Sequence, residues 1–314
     1  MKQIAIIGAG NWGTALAIVA ARAGQNVNLW SRDPARINAP VTVTSDLNKA
    51  LRDASLILYA APSHVARELL AAMSPLLPEA AIIVSVSKGI EVETGKRISE
   101  IVKELAGSAY PFVCLSGPSF AKEVVAGNPT AIVAASKDSA AARTVQNDLS
   151  FENLRIYTNS DVVGTELGGS VKNVMAIAAG MTTGLGFGSN SVAALITRGL
   201  AEITRLALRE GAQIETLMGL AGLGDLVLTC TGSLSRNRFV GEELGKGKTL
   251  AEIIAGMNEV AEGINTARAV KKLADRAGLE MPITNEVNAV LYDGKPAREA
   301  VAELMNRPLR EEIH

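Results

Sequence analysis

One ammonium group stands alone in the middle of the sequence. Between Glu166 and Arg198 the only charged side chain is Lys172, set among Gly, Ala, Ser, Thr, Asn and aliphatic residues. If the run Glu166-Leu167-Gly168-Gly169-Ser170-Val171-Lys172-Asn173-Val174-Met175-Ala176 is helical, its neighbours three and four places away are Gly168, Gly169, Met175 and Ala176, none able to pair with an ammonium. Such a lysine has two readings. At a helix end it lays its stem on apolar surface and keeps its head in water. Desolvated, it has a lowered pKa and exchanges protons with a bound substrate. The segment alone favours the first, and the other constellations in the chain decide between them.

Gly8-Ala9-Gly10-Asn11-Trp12-Gly13 is a GxGxxG motif directly after a strand-like run and at the start of a helical one. Such glycines permit a tight turn, close approach of a pyrophosphate and helix-to-strand packing, with the helix N-terminus facing the negative charge. NAD usually meets an acidic residue at the end of the next strand. Here Leu29-Trp30 is followed by Ser31-Arg32, and Arg32 suits a 2′-phosphate, so NADPH is favoured over NADH. Asp33-Pro34 reads instead as a cap followed by a first-turn proline.

Polar punctuation falls at the carboxyl ends of the next strands, as Pro62-Ser63-His64, Ser87-Lys88-Gly89 and Ser116-Gly117-Pro118-Ser119. Lys88 stands apart from ordinary turn chemistry, because a basic side chain there faces the shared cleft of a doubly wound sheet. His64 reads as a first-turn residue near the nucleotide rather than as an acid-base group. Further on, Gly222-Leu223-Gly224-Asp225 and Ser235-Arg236-Asn237 remain. Arg236 is a fork-shaped donor suited to a phosphate, Ser235 and Asn237 add neutral hydrogen bonds, and Asp225 is the nearest candidate partner for Lys172. Gly241 to Lys246 has one residue too few for a P-loop.

The elements that must carry these groups fall into two halves. Strands are expected near Gln3 to Ile7, Val27 to Trp30, Leu56 to Ala60, Ala81 to Val86, Phe112 to Leu115 and Ala131 to Ala134. Helices at Trp12 to Ala23, His64 to Met73 and Gly95 to Leu105 alternate with them, the signature of a mostly parallel α/β sheet. After Thr158-Asn159-Ser160-Asp161, a turn leading into a helix cap, the pattern turns all-helical. Residues 1–160 are thus expected as a dinucleotide-binding domain and residues 161–314 as a helical substrate domain. Asp225 to Thr231 is ambiguous.

A chain of 314 residues, 48% hydrophobic and 20% charged, is that of an ordinary globular protein. With 31 basic against 32 acidic side chains there is no global attraction to nucleic acid or anionic lipid. The apolar run Val174 to Phe187 is broken by glycines and too short to span a bilayer. No signal pattern opens the chain, and Cys114 and Cys230 lack metal or disulfide spacing. A cytoplasmic location without membrane insertion is expected.

Together the motifs resemble the bacterial type of NAD(P)-dependent glycerol-3-phosphate dehydrogenase. The resemblance covers nearly the whole chain, including the glycine turn, Ser116-Gly117-Pro118-Ser119-Phe120-Ala121, the Lys172 run, Gly219-Leu220-Ala221-Gly222-Leu223-Gly224-Asp225-Leu226, Ser235-Arg236-Asn237 and Val260-Ala261-Glu262-Gly263. It implies an N-terminal Rossmann domain, a helical C-terminal domain, and commonly a homodimer. It also implies that Lys172 is the proton acceptor when glycerol 3-phosphate is oxidised. By the same match, Lys88, Gly117, Ser119, Asn173, Asp225, Ser235, Arg236 and Asn237 should serve the phosphorylated substrate. Asn11, Trp12, Arg32, Lys88, Ala121, Arg236, Val260 and Glu262 should contact the cofactor. Asn173 and Asp225 are expected to orient Lys172 and the substrate oxygens. One departure is a shortened stretch between Arg36 and Asp46, near the adenosine end of the cofactor. The nearest rivals are a β-hydroxyacid dehydrogenase or ketopantoate reductase, which tend to place an Asn one turn after the lysine, where this chain has Ala176. A non-catalytic NADPH sensor would not need Lys172.

Overall fold

The structure is a computed structural model that describes residues 1–257, 261–309 and 311–312. Eight strands among these residues form one sheet: β1 (Gln3–Ile7), β2 (Asn26–Trp30), β3 (Thr42–Thr44), β4 (Leu56–Tyr59), β5 (Ile82–Ser85), β6 (Phe112–Ser116), β7 (Thr130–Ala135) and β8 (Leu154–Asn159). Their order is β3-β2-β1-β4-β5-β6-β7-β8. The first six are parallel, β7 runs antiparallel to β6, and β8 is parallel to β7. The order reverses between β1 and β4, which opens a crevice at their carboxyl ends.

The central strands are apolar on both faces because both faces are covered. Ile4 and Ile6 of β1 pack with Leu56 and Leu58 of β4 on one side. Ala5, Ile7, Ile57 and Tyr59 pack on the other, all fully buried. The connecting helices are α1 (Asn11–Arg22), α2 (Leu47–Leu51), α3 (Ala66–Met73), α4 (Ile98–Ala106), α5 (Ala121–Val125) and α6 (Ser139–Leu149). All six expected strands are present, and β3 and β8 are additional. Two helix starts differ from expectation. His64 sits in a 3₁₀ turn, Ser63–Val65, ahead of α3. α4 begins at Ile98 because Gly95 adopts φ +76°, and Glu100 reaches back to the Arg97 N–H at 2.9 Å.

Past β8 the described chain is helical: α7 (Val162–Gly184), α8 (Ser189–Arg209), α9 (Ile214–Leu217), α10 (Asp225–Thr231), α11 (Arg236–Gly245), α12 (Leu250–Ala255), α13 (Glu262–Ala277), α14 (Pro282–Tyr292) and α15 (Ala297–Met305). The ambiguous segment is therefore α10. Asp161, 1% exposed, caps α7 by accepting from the Gly164 N–H at 2.9 Å and also accepts from the Gln213 N–H at 2.8 Å. α7 is apolar all round and almost wholly buried, with α8, α10, α11 and α13 packed about it.

Glycines explain how closely α11 approaches α7. A Cβ on Gly180 would lie 2.0 Å from the Arg238 carbonyl oxygen, on Gly184 2.1 Å from that of Glu242, and on Gly241 1.9 Å from that of Ile177. The two backbones touch, which brings the first turn of α11 beside the middle of α7. We expect Gly241→Ala to destabilise the fold by about 3 kcal/mol, as overpacking against backbone does. Gly188→Ala, at negative φ in open space, serves as the neutral control. Thermal denaturation checks this, and an unchanged midpoint for Gly241→Ala would refute the contact.

Candidate active site

Lys172 is 5% exposed. Its Nζ donates to Asp225 Oδ1 at 2.5 Å and to Thr229 Oγ1 at 2.7 Å. Asp225, 1% exposed, accepts from Lys88 Nζ on its other oxygen at 2.6 Å, and Lys88 also donates to the Gly117 carbonyl at 3.0 Å. One buried carboxylate thus serves two ammonium groups, one from α7 and one from the loop after β5. Burial, partly offset by Asp225 and reinforced by Lys88, brings the Lys172 pKa down to about 8. The snorkelling reading is therefore excluded: the head of Lys172 is buried and paired.

The local sequence makes this approach possible. A Cβ on Gly168 would meet the Ala221 carbonyl oxygen at 2.7 Å, and one on Gly169 would meet Ser116 Oγ at 2.6 Å. Glycine at these two positions lets α7 lie against both the Leu220–Gly224 turn and the carboxyl end of β6. That turn is π-helical and leads directly into α10, so Asp225 is its first α-helical residue. Thr229 comes one turn later. Its hydroxyl donates to the Asp225 carbonyl at 2.6 Å and so keeps its oxygen lone pair for Lys172.

Asn173 makes no hydrogen bond to Lys172. It donates to the Lys88 carbonyl at 3.3 Å and accepts from Asn237 Nδ2 at 3.0 Å. One residue on from Lys172 along a helix, its side chain points about 100° away, so it braces Lys88 and α11, while Asp225 and Thr229 hold Lys172. Asn237 also accepts from the Gly263 N–H at 2.9 Å. Ser235 caps α11 through the Arg238 N–H at 3.2 Å, and Arg236 stands exposed in the first turn. Ser119 donates to the Gly117 carbonyl at 3.0 Å. Lys88, Gly117, Asn173, Asp225, Asn237 and Lys172 therefore form one bonded group, to which Ser119 is attached through Gly117.

Thr229 is a member of this group that sequence reasoning misses. Its place four residues after Asp225 would flag it once that segment is read as a helix.

The glycine turn lies at the β1–β4 crevice. Gly8 has φ +116°, and a Cβ there would come within 2.7 Å of the Ala61 nitrogen. A Cβ on Gly13 would lie 1.9 Å from the Gly8 carbonyl oxygen, while Gly10 faces open space. No side chain caps α1, and no acidic residue occupies its first turn. An open cleft of about 420 Å³ runs beside this turn, lined in part by Asn11, Ala121 and Lys122. An uncapped helix start beside a glycine with room in front of it fits a dinucleotide pyrophosphate. Trp12 packs against the core at the same turn, and Arg32 is exposed past the end of β2. Glu262, at the start of α13, accepts from the Ser63 N–H at 3.1 Å and from Ser63 Oγ at 2.5 Å. It is thereby committed to the loop after β4. Val260 lies outside the described residues. His64 is exposed and both thiols are buried with pKa values raised by burial, whereas burial brings Lys172 down to about 8.

A doubly wound sheet with this turn, carrying helices that present a buried lysine at its carboxyl edge, defines a nicotinamide-nucleotide-dependent oxidoreductase. The chain belongs to the NAD-dependent glycerol-3-phosphate dehydrogenase family: residues 3–40 and 35–142 match its N-terminal part and residues 161–302 its C-terminal part. It is 52% identical to the glycerol-3-phosphate dehydrogenase [NAD(P)+] of Koribacter versatilis over 100% of this chain and 99% of that one. A crystal structure of glycerol-3-phosphate dehydrogenase from Coxiella burnetii superposes with a TM-score of 0.94 at 40% identity, covering 98% of this chain and 99% of that chain. A ketopantoate reductase from Ralstonia eutropha shares the fold alone, with a TM-score of 0.58 at 16% identity and coverage of 97% and 100%.

Proposed function

We infer that this protein interconverts dihydroxyacetone phosphate and sn-glycerol 3-phosphate. The observation that carries the reading is the buried Lys172 ammonium, held by Asp225 and Thr229 and opposed by Lys88. Residues 1–160 act as the dinucleotide-binding half and residues 161–314 as the half that supplies the proton. Asp161, which caps the first helix of the second half, supports this division. Bound NADPH or NADH supplies hydride to the carbonyl carbon of the substrate.

Lys172 gives its proton to the carbonyl oxygen as that oxygen becomes an alcohol, and takes it back in the reverse direction. Asp225 keeps the ammonium in place and Thr229 fixes its direction, so the proton is delivered without reorganisation at the moment of transfer. Lys88, held by Asp225 and the Gly117 carbonyl, adds a second positive charge that favours an anionic substrate. Arg236 at the first turn of α11, with Ser235, Asn237 and Ser119 nearby in this arrangement, holds the phosphate. Binding energy from that non-reacting group then positions the carbonyl. Asn173 keeps α11 and the Lys88 loop in register. Asn11, Trp12, Gly13 and Ala121 line the approach to the pyrophosphate, Arg32 meets the 2′-phosphate, and Glu262 and Val260 are the further candidates for cofactor contact.

The product suits glycerophospholipid synthesis in the cytoplasm. A homodimer is expected from the family resemblance, and light scattering in solution reads it directly.

Lys172→Ala should lower turnover on dihydroxyacetone phosphate by about a hundredfold to ten-thousandfold, with NADPH binding retained. Near-normal turnover would remove Lys172 from the chemistry. Arg32→Ala should raise KM for NADPH by roughly tenfold or more, the loss of one charge-assisted contact, and leave NADH nearly unchanged. Equal losses with both cofactors would end the role given to Arg32.

A further inference from the structure

The link from β2 to β3 is unusually short. The two strands run parallel, with Asn28 opposite Thr42 and Trp30 opposite Thr44, and only residues 31–41 join them. A parallel crossover ordinarily needs a dozen or more residues and usually contains a helix. Here its only regular structure is the 3₁₀ turn Pro34–Arg36. The N-terminal family match comes in two pieces that overlap at residues 35–40, within this link. The alignment with the Koribacter protein spans 335 positions against a chain of 314, so 335 − 314 = 21 positions or more have no residue here. The overlap of the two matches puts a break in the family pattern within this link, which here is a bare connection.

The end of β2 is where the adenosine ribose of a dinucleotide falls in this fold. The adenine ring lies beyond it, against the chain that leaves the strand. In this protein that stretch is exposed: Arg32, Asp33, Ala35, Arg36 and Asn38 all face solvent. Ala39 and Val41 turn inward onto the sheet's core and hold the link down, while Ile37, half-buried against the same core, also lines the neighbouring cleft. Asp33 and Arg36 pair with each other at 2.8 Å on the surface. The link places no α-helix over the site, and the neighbouring cleft along Arg36 and Asn38 is open.

We propose that the shortened β2–β3 link leaves the adenine end of the nucleotide site without an outer wall, so that dinucleotides bearing bulky groups on the adenine amino nitrogen bind as well as the parent. This rests on the dinucleotide reading given above. Affinity then resides in the pyrophosphate at the start of α1 and in the contact to Arg32, and a substituent on the adenine projects into water.

Isothermal titration of the full chain with NADPH and with NADPH alkylated at the adenine N6 by an aminohexyl arm tests the proposal by binding alone. The expected result is two Kd values within about threefold of each other, since a solvated arm changes few contacts. A larger loss for the alkylated nucleotide overturns the proposal. The same pair titrated into the longer Koribacter protein should differ by about tenfold or more, the cost of displacing a packed wall. Equal tolerance by both proteins overturns the assignment to the short link. If NADPH itself does not bind, the dinucleotide reading fails, and the parent titration alone reveals that.

Discussion

The site depends on one buried carboxylate. Asp225 is almost wholly removed from water and divides its two oxygens between Lys172 and Lys88. Burying an ammonium group is costly, and a partner at hydrogen-bond distance offsets that cost only when the geometry is good and the remaining donors are satisfied. Lys172 meets the first through Asp225, and two of its three N–H donors are taken, by Asp225 and Thr229. The balance is incomplete, because Lys88 draws on the same carboxylate. Burial first, and then Lys88, leave Lys172 held in place with a proton it gives up easily, and the surplus positive charge suits a phosphorylated substrate.

Much of the remaining architecture brings those three charges together from distant parts of the chain. Lys88 belongs to the loop after β5 at the carboxyl ends of the strands, Lys172 to the central helix and Asp225 to a short helix behind a π-helical turn. Further buried ties join the same regions. Glu166 accepts from Arg97 at 3.0 Å and from the Ser99 N–H at 2.8 Å, which fastens the start of α4 to α7. Glu262 fastens the start of α13 to the loop after β4. The glycines of α7 complete the arrangement, since each lies where a side chain would push apart two surfaces that must touch.

A good part of this is legible in the sequence, for physical reasons. The GxGxxG turn is a local demand on backbone conformation and space, and it can be read without knowing the rest of the fold. Most of the six expected strands can be read because strands buried on both faces are near-continuous apolar runs, while β2 shows itself by alternation, with Val27 and Leu29 buried and Asn26 and Asn28 between and beside them. β8 is not among them, although Leu154, Arg155, Ile156 and Tyr157 alternate inward and outward as an edge strand should. β3 has only three residues, too few for a periodic signal. The isolation of Lys172 marks a special residue but not which kind, and the sequence names Asp225 as its partner only as a candidate. The link between Glu262 and Ser63 spans 199 residues and has no sequence signature. Asn173 does not bond Lys172 because adjacency in sequence is not adjacency in space: neighbouring residues on a helix point in different directions.

The most direct test is the pH dependence of kcat/KM in both directions, over roughly pH 6 to 10, a range that brackets the Lys172 pKa. The ammonium form donates to the carbonyl of dihydroxyacetone phosphate and the neutral amine accepts from glycerol 3-phosphate. Reduction should therefore be fast at low pH and fall as pH rises through about 8, while oxidation rises through the same value. Opposite limbs that share one midpoint near there are the predicted result. Two limbs moving in the same direction, or profiles flat across that range, would contradict Lys172 as the proton carrier.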